Sequence, residues 1–443
     1  MKKSSAIIVV GVLAFRSCLD FVYKNAVTIL YGDYHLTYSP DKTNLFFSYA
    51  VLLVITGIMA KVFDYTKPSS IMVFLLYLLA FVPNTSLYYS AGLPHHFMLY
   101  SSLFWFTLIV AYRFMQHIPF RETVPSNSKG TKTLVNAIPI SFFIIVVLFS
   151  VYYNGLRVTI DVGEADVLRM ASRESSVGPV MSRLIPWAGI VVFPVTATVA
   201  LKKGKYLTFA LFAFAEAVAF SFEGTKTYLF AFAFSVFTVL FLKRDRFLIY
   251  IPLGLAALTI FGYVSYQAFD SVSIMNYLIR RVFFATSYNN WGYIEFFRDH
   301  ELLYLRYNGF MSWLRLFGVE KIYGPNISSF MGSLLYDDAA TNAASGTVAN
   351  AYSNLGIMGL LLFPIVAAFM YRLLDRASAN VPLYCVIPVI IGTAEYLLNG
   401  DMFSVMATYG YLFALVYLHL ASKTGTLPRQ NPPVQTTVSQ TVF

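Results

Sequence analysis

The residues best suited to chemistry in this 443-residue chain are arginines gathered in two segments, roughly 154–185 and 269–346. The first holds Arg157, Arg169, Arg173 and Arg183; the second holds Arg280, Arg281, Arg298, Arg306 and Arg315. Arginine presents a planar fork of donors that grips two phosphate or carboxylate oxygens at once, and it stays charged in a partly dry site. The plain alternative is salt bridging to Asp161, Glu164, Asp166, Glu174, Glu295, Asp299 and Glu301. The second segment is also aromatic-rich, with Tyr288, Trp291, Tyr293, Phe296, Phe297, Tyr304, Tyr307 and Trp313. Sugar rings stack on such side chains, yet an aromatic belt at a lipid interface reads the same way. The stretch from Arg280 to Arg298 suits a half-inserted or interfacial amphipathic helix.

Carboxylates stand in telling places as well. Glu216 lies within the apolar run Ala213-Phe214-Ala215-Glu216-Ala217-Val218-Ala219, and Glu223 follows two helical turns later on the same face. Glu223 opens the short turn Glu223-Gly224-Thr225-Lys226-Thr227, which leaves Lys226 either to bind an anion or to pair with Glu223. Glu395 and Asp401 bracket a second short turn. Arg16, Asp20 and Lys24 recur every four residues, as in an ion ladder along one helix face. The chain has no phosphate-binding glycine loop, zinc-ligand spacing or nucleophile elbow, and the adjacent His95 and His96 read as surface residues on a short loop. No metal and no cofactor are implied.

The elements that must carry these residues are membrane helices. The chain is 58% hydrophobic, 17% aromatic and only 12% charged, against roughly 25% charged in an ordinary soluble domain. Apolar runs of about twenty residues recur, each long enough to cross a hydrocarbon core as a helix. They place spans at 6–30, 44–61, 70–89, 97–115, 135–153, 186–201, 206–222, 227–242, 247–268, 347–370, 381–398 and 404–421. Fold class is therefore all-α and polytopic: about twelve transmembrane helices in one domain over 1–422, and a tail at 423–443 that reads as cytoplasmic and disordered. Cys18 and Cys385 fall inside spans and read as free thiols.

Charge sets the expected orientation. On one side lie 18 Lys and Arg against four acids, and on the other 12 against 15. Positive residues in short loops mark the cytoplasmic side, so both termini are expected there and the two long segments outside. The net charge of +10 is thus a topology signal and not a nucleic-acid footprint. Nine of the twelve outer cations are Arg, whereas only seven of the eighteen inner ones are, a bias that orientation alone does not require.

This layout resembles the Wzy-type polymerases of O-antigen and other surface polysaccharides, multi-span proteins of the GT-C glycosyltransferase class. The resemblance rests on the span number, the two Arg-rich outer loops, the Glu223-Gly224-Thr225-Lys226-Thr227 turn and the small-residue stretch Asn342 to Gly359. It also includes an Arg298 to Gly309 spacing. The resemblance implies a bacterial inner-membrane enzyme that polymerises oligosaccharide repeat units carried on a polyprenyl pyrophosphate. A chain-length regulator and a flippase would be partners beside the membrane lipid, and nucleic acid would not.

Under that reading Arg157, Arg169, Arg173, Arg183, Lys226, Arg280, Arg281, Arg298 and Arg315 are candidates for binding pyrophosphate. Arg173, Arg183, Arg280 and Arg281 lead because they lie nearest the expected helix ends. Glu174, Asp166, Asp337, Asp338 and Glu223 are candidates for the catalytic base. An O-antigen ligase shares the layout and the lipid-linked donor, and a polysaccharide or lipid transporter shares the span number.

Overall fold

In hydrocarbon a backbone can hydrogen-bond only to itself, and in the computed structural model the chain does so by helices. The structure describes residues 3–119, 129–174, 178, 180–241, 245–308, 318–338 and 341–428. Ten helices among them are long and apolar enough to cross a membrane: Ser4–Leu30, Lys42–Val62, Pro68–Ser90, His95–Met115, Lys129–Tyr153, Met181–Lys202, Tyr206–Glu223, Phe247–Phe269, Thr347–Ala377 and Met402–Thr424. The spans expected at 227–242 and 381–398 are the shorter apolar helices Lys226–Leu240 and Leu383–Leu398. Phe46, Val54, Ile140, Leu148, Leu207 and Phe261 turn outward from these helices. Lipid accommodates such a surface and water does not. The protein is thus a polytopic helical membrane protein. The expected tail at 423–443 lies mostly outside the described residues.

The backbone groups into two compact units. One comprises Met1–Phe120, Leu240–Leu374 and Val389–Leu412; the other comprises Arg121–Val239, Asp375–Pro388 and Phe413–Phe443.

The first unit is tied together by Arg16, which is fully buried. Its Nε donates to Thr85 Oγ1 at 2.9 Å, and its Nη2 donates to the Thr85 carbonyl at 2.8 Å and to Ser48 Oγ at 3.3 Å. Asp20, one turn on, pairs with the guanidinium and accepts hydrogen bonds from Ser86 Oγ at 2.6 Å and Tyr49 Oη at 3.1 Å. The expected ladder thus stops at two rungs, because Lys24 stands over the Tyr38 ring at 5.9 Å. What the spacing suggested within one helix is a network across three, which satisfies two charges that lipid alone would not tolerate.

Proline shapes two of the spans. Pro83 and Pro194 each lack an amide donor and crowd the carbonyl four residues back. The residue before each donates five residues back instead, Val82 to Tyr77 and Phe193 to Ala188, so the helix widens to a π turn over Tyr77–Phe81 and Ala188–Val192. The second wide turn carries Gly189, whose missing Cβ admits the Tyr228 ring: a Cβ there would stand 2.9 Å from it.

The helix Thr347–Ala377 is broken at Leu355 and Gly356, where Gly356 takes φ +59. The carbonyls released there accept amides from the preceding segment, Leu303 N to Ser353 O at 2.8 Å and Tyr304 N to Asn354 O at 3.1 Å. Asn354 Oδ1 takes the next amide, Leu305 N, at 2.9 Å. Near the start of this helix the small residues of the Asn342 to Gly359 stretch let the helix Thr286–Asp299 come close. Tyr293 Oη donates to Ala343 O at 2.9 Å, Asn289 Nδ2 to Ala344 O at 3.1 Å, and Ala349 N to Asn290 Oδ1 at 3.0 Å.

Arg16→Met removes the cation and leaves Asp20 without its charge partner. A loss of about 3–5 kcal/mol is expected, as for other buried pairs broken on one side. The check is the denaturation midpoint of detergent-solubilised protein; a midpoint equal to wild type would show that the network does not hold the three spans.

Candidate functional site

In the second unit the turn after the span Tyr206–Glu223 is built to receive another helix. Gly224 takes the left-handed conformation at φ +63 and closes the helix by donating to Phe220 O at 2.7 Å. On it sits the helix Ala165–Glu174, so close that a Cβ on Gly224 would stand 2.2 Å from the Ala165 carbonyl. Ala165 and Leu168 bury against Phe220 and Leu229, while Val167 and Met170 remain more than half exposed. The contact delivers Arg169 to the turn, where its Nη2 donates to Gly224 O at 3.2 Å. Glu223, one residue back, accepts a hydrogen bond from Tyr228 Oη, and Lys226 begins the next helix. Two cations, a carboxylate and a phenol from two separate stretches of sequence therefore meet at one turn.

Arg173 and Glu174 lie one turn beyond Arg169 on the same helix, and Asp166 lies near its start. The side chains of these three lie outside the described residues. Arg157 pairs with Glu164 at 3.0 Å, the plain alternative that its neighbours suggested. Arg183 is exposed near the start of the helix Met181–Trp187.

In the first unit Arg280 and Arg281 lie on the widened helix Met275–Ala285, which runs directly into Thr286–Asp299. Arg280 is held on three sides. Its Nε donates to Asn276 Oδ1 at 2.8 Å, and its guanidinium lies 4.6 Å from the Tyr34 ring centroid and 5.3 Å from that of Tyr31. Among the described residues no carboxylate pairs with it, so the Nη edge of the fork stays available.

Beside it runs an aromatic wall: Tyr34 to Tyr336 at 6.4 Å, Tyr336 to Tyr288 at 5.7 Å and Tyr288 to Trp291 at 5.2 Å between centroids. Tyr31 Oη and Trp291 Nε1 are buried donors with no hydrogen-bond partner among the described residues. Such groups are costly unless something accepts from them. Burial pushes the Tyr288 hydroxyl above its ordinary value, aided by nearby Asp337. The set can grip an anion through a fixed arginine and offer flat apolar faces and spare donors next to it.

Asp337 is left-handed at φ +52 where it ends the helix Ile327–Tyr336, and it stands 3.8 Å from His35 Nε2. Asp338 accepts from Thr341 Oγ1 at 2.6 Å. Arg298 is committed elsewhere, to Glu295 at 2.9 Å and Asp299 at 3.0 Å. Its hydrogen bond holds the Asp299 carboxyl below the usual value. Arg306 pairs with Glu301 at 2.9 Å. Arg315 and Gly309 lie outside the described residues.

His95 and His96 lie at the surface at the start of the helix His95–Met115, and each has a partner. His95 Nδ1 lies 2.5 Å from Tyr88 Oη, and His96 Nε2 lies 2.8 Å from Glu295 Oε2. Asp401 caps the helix Met402–Ala407 through Ser404 N at 2.8 Å and accepts from Asn308 Nδ2 at 2.8 Å. Sequence reasoning also passed over Tyr31, Tyr34 and Asn276 as partners of Arg280. The two tyrosines are about 250 residues away in the chain, and no local pattern links them.

No protein-family model matches the chain, and no curated protein or solved structure matches it.

Gly224→Ala would strain a left-handed position and press a methyl group into the Ala165 carbonyl, a cost above about 1 kcal/mol. The helix Ala165–Glu174 is expected to lift from the turn. Maleimide labelling of a cysteine placed at Leu168 reads this directly: labelling rises sharply when the glycine is replaced, and unchanged labelling would contradict the contact.

Proposed function

We propose that this protein is a membrane glycosyltransferase that polymerises oligosaccharide repeat units linked to polyprenyl pyrophosphate. The observation that carries the reading is the contrast among its arginines. Arg157, Arg298 and Arg306 are neutralised by carboxylates, whereas Arg280 is fixed by Asn276 and two tyrosine faces with its fork unspent. A phosphate recognised by two oxygens fits that arrangement, and the adjoining aromatic wall suits a sugar ring. Ten long apolar helices, with the shorter apolar helices Lys226–Leu240 and Leu383–Leu398 at the two remaining expected spans, support a twelve-span, GT-C-like layout. The distribution of Lys and Arg supports cytoplasmic termini in a bacterial inner membrane, with both arginine-bearing segments on its outer face.

In this reading the acceptor hydroxyl of one lipid-linked unit attacks the anomeric carbon of the growing chain. A carbon–oxygen bond forms to the acceptor, the bond to the donor pyrophosphate breaks, and the lipid pyrophosphate leaves with the electron pair. The hydroxyl proton passes to a carboxylate, for which Glu223 has the best-defined surroundings, beside Arg169 and held by Tyr228. Arg169, Lys226 and Arg280 stabilise pyrophosphate charge. Each compact unit thus carries its own candidate phosphate-binding cations, Arg169 and Lys226 in one and Arg280 in the other.

Purified protein given a lipid-linked repeat unit alone should yield a ladder of products. Arg280→Lys and Glu223→Gln should each slow the ladder by roughly a hundredfold, the scale for losing one oriented charge or one general base. A ligase would need a second acceptor lipid and give no ladder. Full activity in Arg280→Lys would remove the phosphate role of that residue.

A further inference from the structure

Glu216 plays no part in the site described above. It sits within the span Tyr206–Glu223, only 1% exposed, and neither carboxyl oxygen has a hydrogen-bond partner among the described residues. Arg16, the one other Asp, Glu, Lys or Arg buried as deeply inside a span among the described residues, is surrounded by Asp20, Thr85 and Ser48. Glu216 has no such shell. An ionised carboxylate there would lack both water and a counter-charge, at a cost of several kcal/mol.

Helix neighbours supply nothing: Phe212, Ala213, Ala215, Ala217, Ala219 and Phe220 are apolar. No cluster of three or more metal-ligating side chains exists among the described residues, whereas a hard divalent cation demands six or more oxygens. The proton is the one ligand that needs a single oxygen and cancels the charge.

The position also has an exit. Seven residues on, about 10 Å along the axis and on the same helix face, stands Glu223 at the end of the span, bonded to Tyr228 next to Arg169. We propose that Glu216 is a proton-binding site inside the membrane, filled and emptied through the mouth of the helix at Glu223. The step is the uptake of one proton by the carboxylate to give the neutral acid, and its reversal. It does not depend on the glycosyl-transfer reading.

Infrared difference spectra of the full-length protein in lipid nanodiscs, wild type minus Glu216→Gln at neutral pH, test this. The expected result is the carbonyl stretch of a protonated carboxylic acid, lost in the variant, shifting when water is replaced by D2O, and shifting more slowly in Glu223→Gln. Carboxylate bands in its place, or conversion of the acid band to carboxylate by added sodium, would overturn the proposal. An acid band that never shifts in D2O would overturn it too, marking a sealed structural acid. Exchange at the wild-type rate in Glu223→Gln would overturn the route. Should Glu216→Gln fail to fold, wild type suffices: dicyclohexylcarbodiimide should modify the peptide containing Glu216 and a water-soluble carbodiimide should not. Absence of the first adduct counts against the site.

Discussion

Removing a charge from water costs more than almost any single contact returns, and this chain places several charges where water is scarce. Each is handled differently. Arg16 is enclosed by partners from three helices, which turns an expensive group into the joint of the first unit. Arg298 and Arg306 lie where solvent reaches and are matched with carboxylates. Arg280 is held by tyrosine faces and an asparagine, which fix its direction without cancelling its charge. That last arrangement leaves binding energy for a ligand, because no carboxylate must be displaced first.

The second unit shows how backbone chemistry reaches a functional side chain in a few steps. Pro194 widens the turn at Ala188–Val192, and Gly189 on that turn makes room for the Tyr228 ring. The phenol then donates to Glu223. From the other direction Gly224 admits the helix Ala165–Glu174, which sets Arg169 against the same turn. Proline and glycine act here as positioning elements for groups that carry chemistry, and neither touches a substrate.

Glycosyl transfer from a pyrophosphate asks little of a protein beyond orientation and charge stabilisation, since the leaving group is already good. The proposed reaction would therefore need from this chain only fixed arginines, a carboxylate and flat aromatic faces. In the first unit the break at Leu355–Gly356 frees carbonyls that fasten Leu303 and Tyr304.

The membrane helices are legible in the order of residues alone, because twenty apolar residues in a row admit few other structures. That order also marked the arginine-bearing segments and the Glu223–Lys226 turn, because cation type and short turn length are local properties. Four-residue spacing pointed to an Arg16–Asp20 pair for the same reason. Folding in three dimensions settles which arginines are neutralised and which keeps an open fork, since Tyr31 and Tyr34 reach Arg280 from about 250 residues away. It likewise places Arg169 at the Glu223–Gly224 turn and His96 against Glu295, and leaves the Glu216 carboxyl without a hydrogen-bond partner among the described residues. The physical reason is common to all four: a charge takes its meaning from what surrounds it in space, and hydrophobic patterning records only which face of each helix is buried.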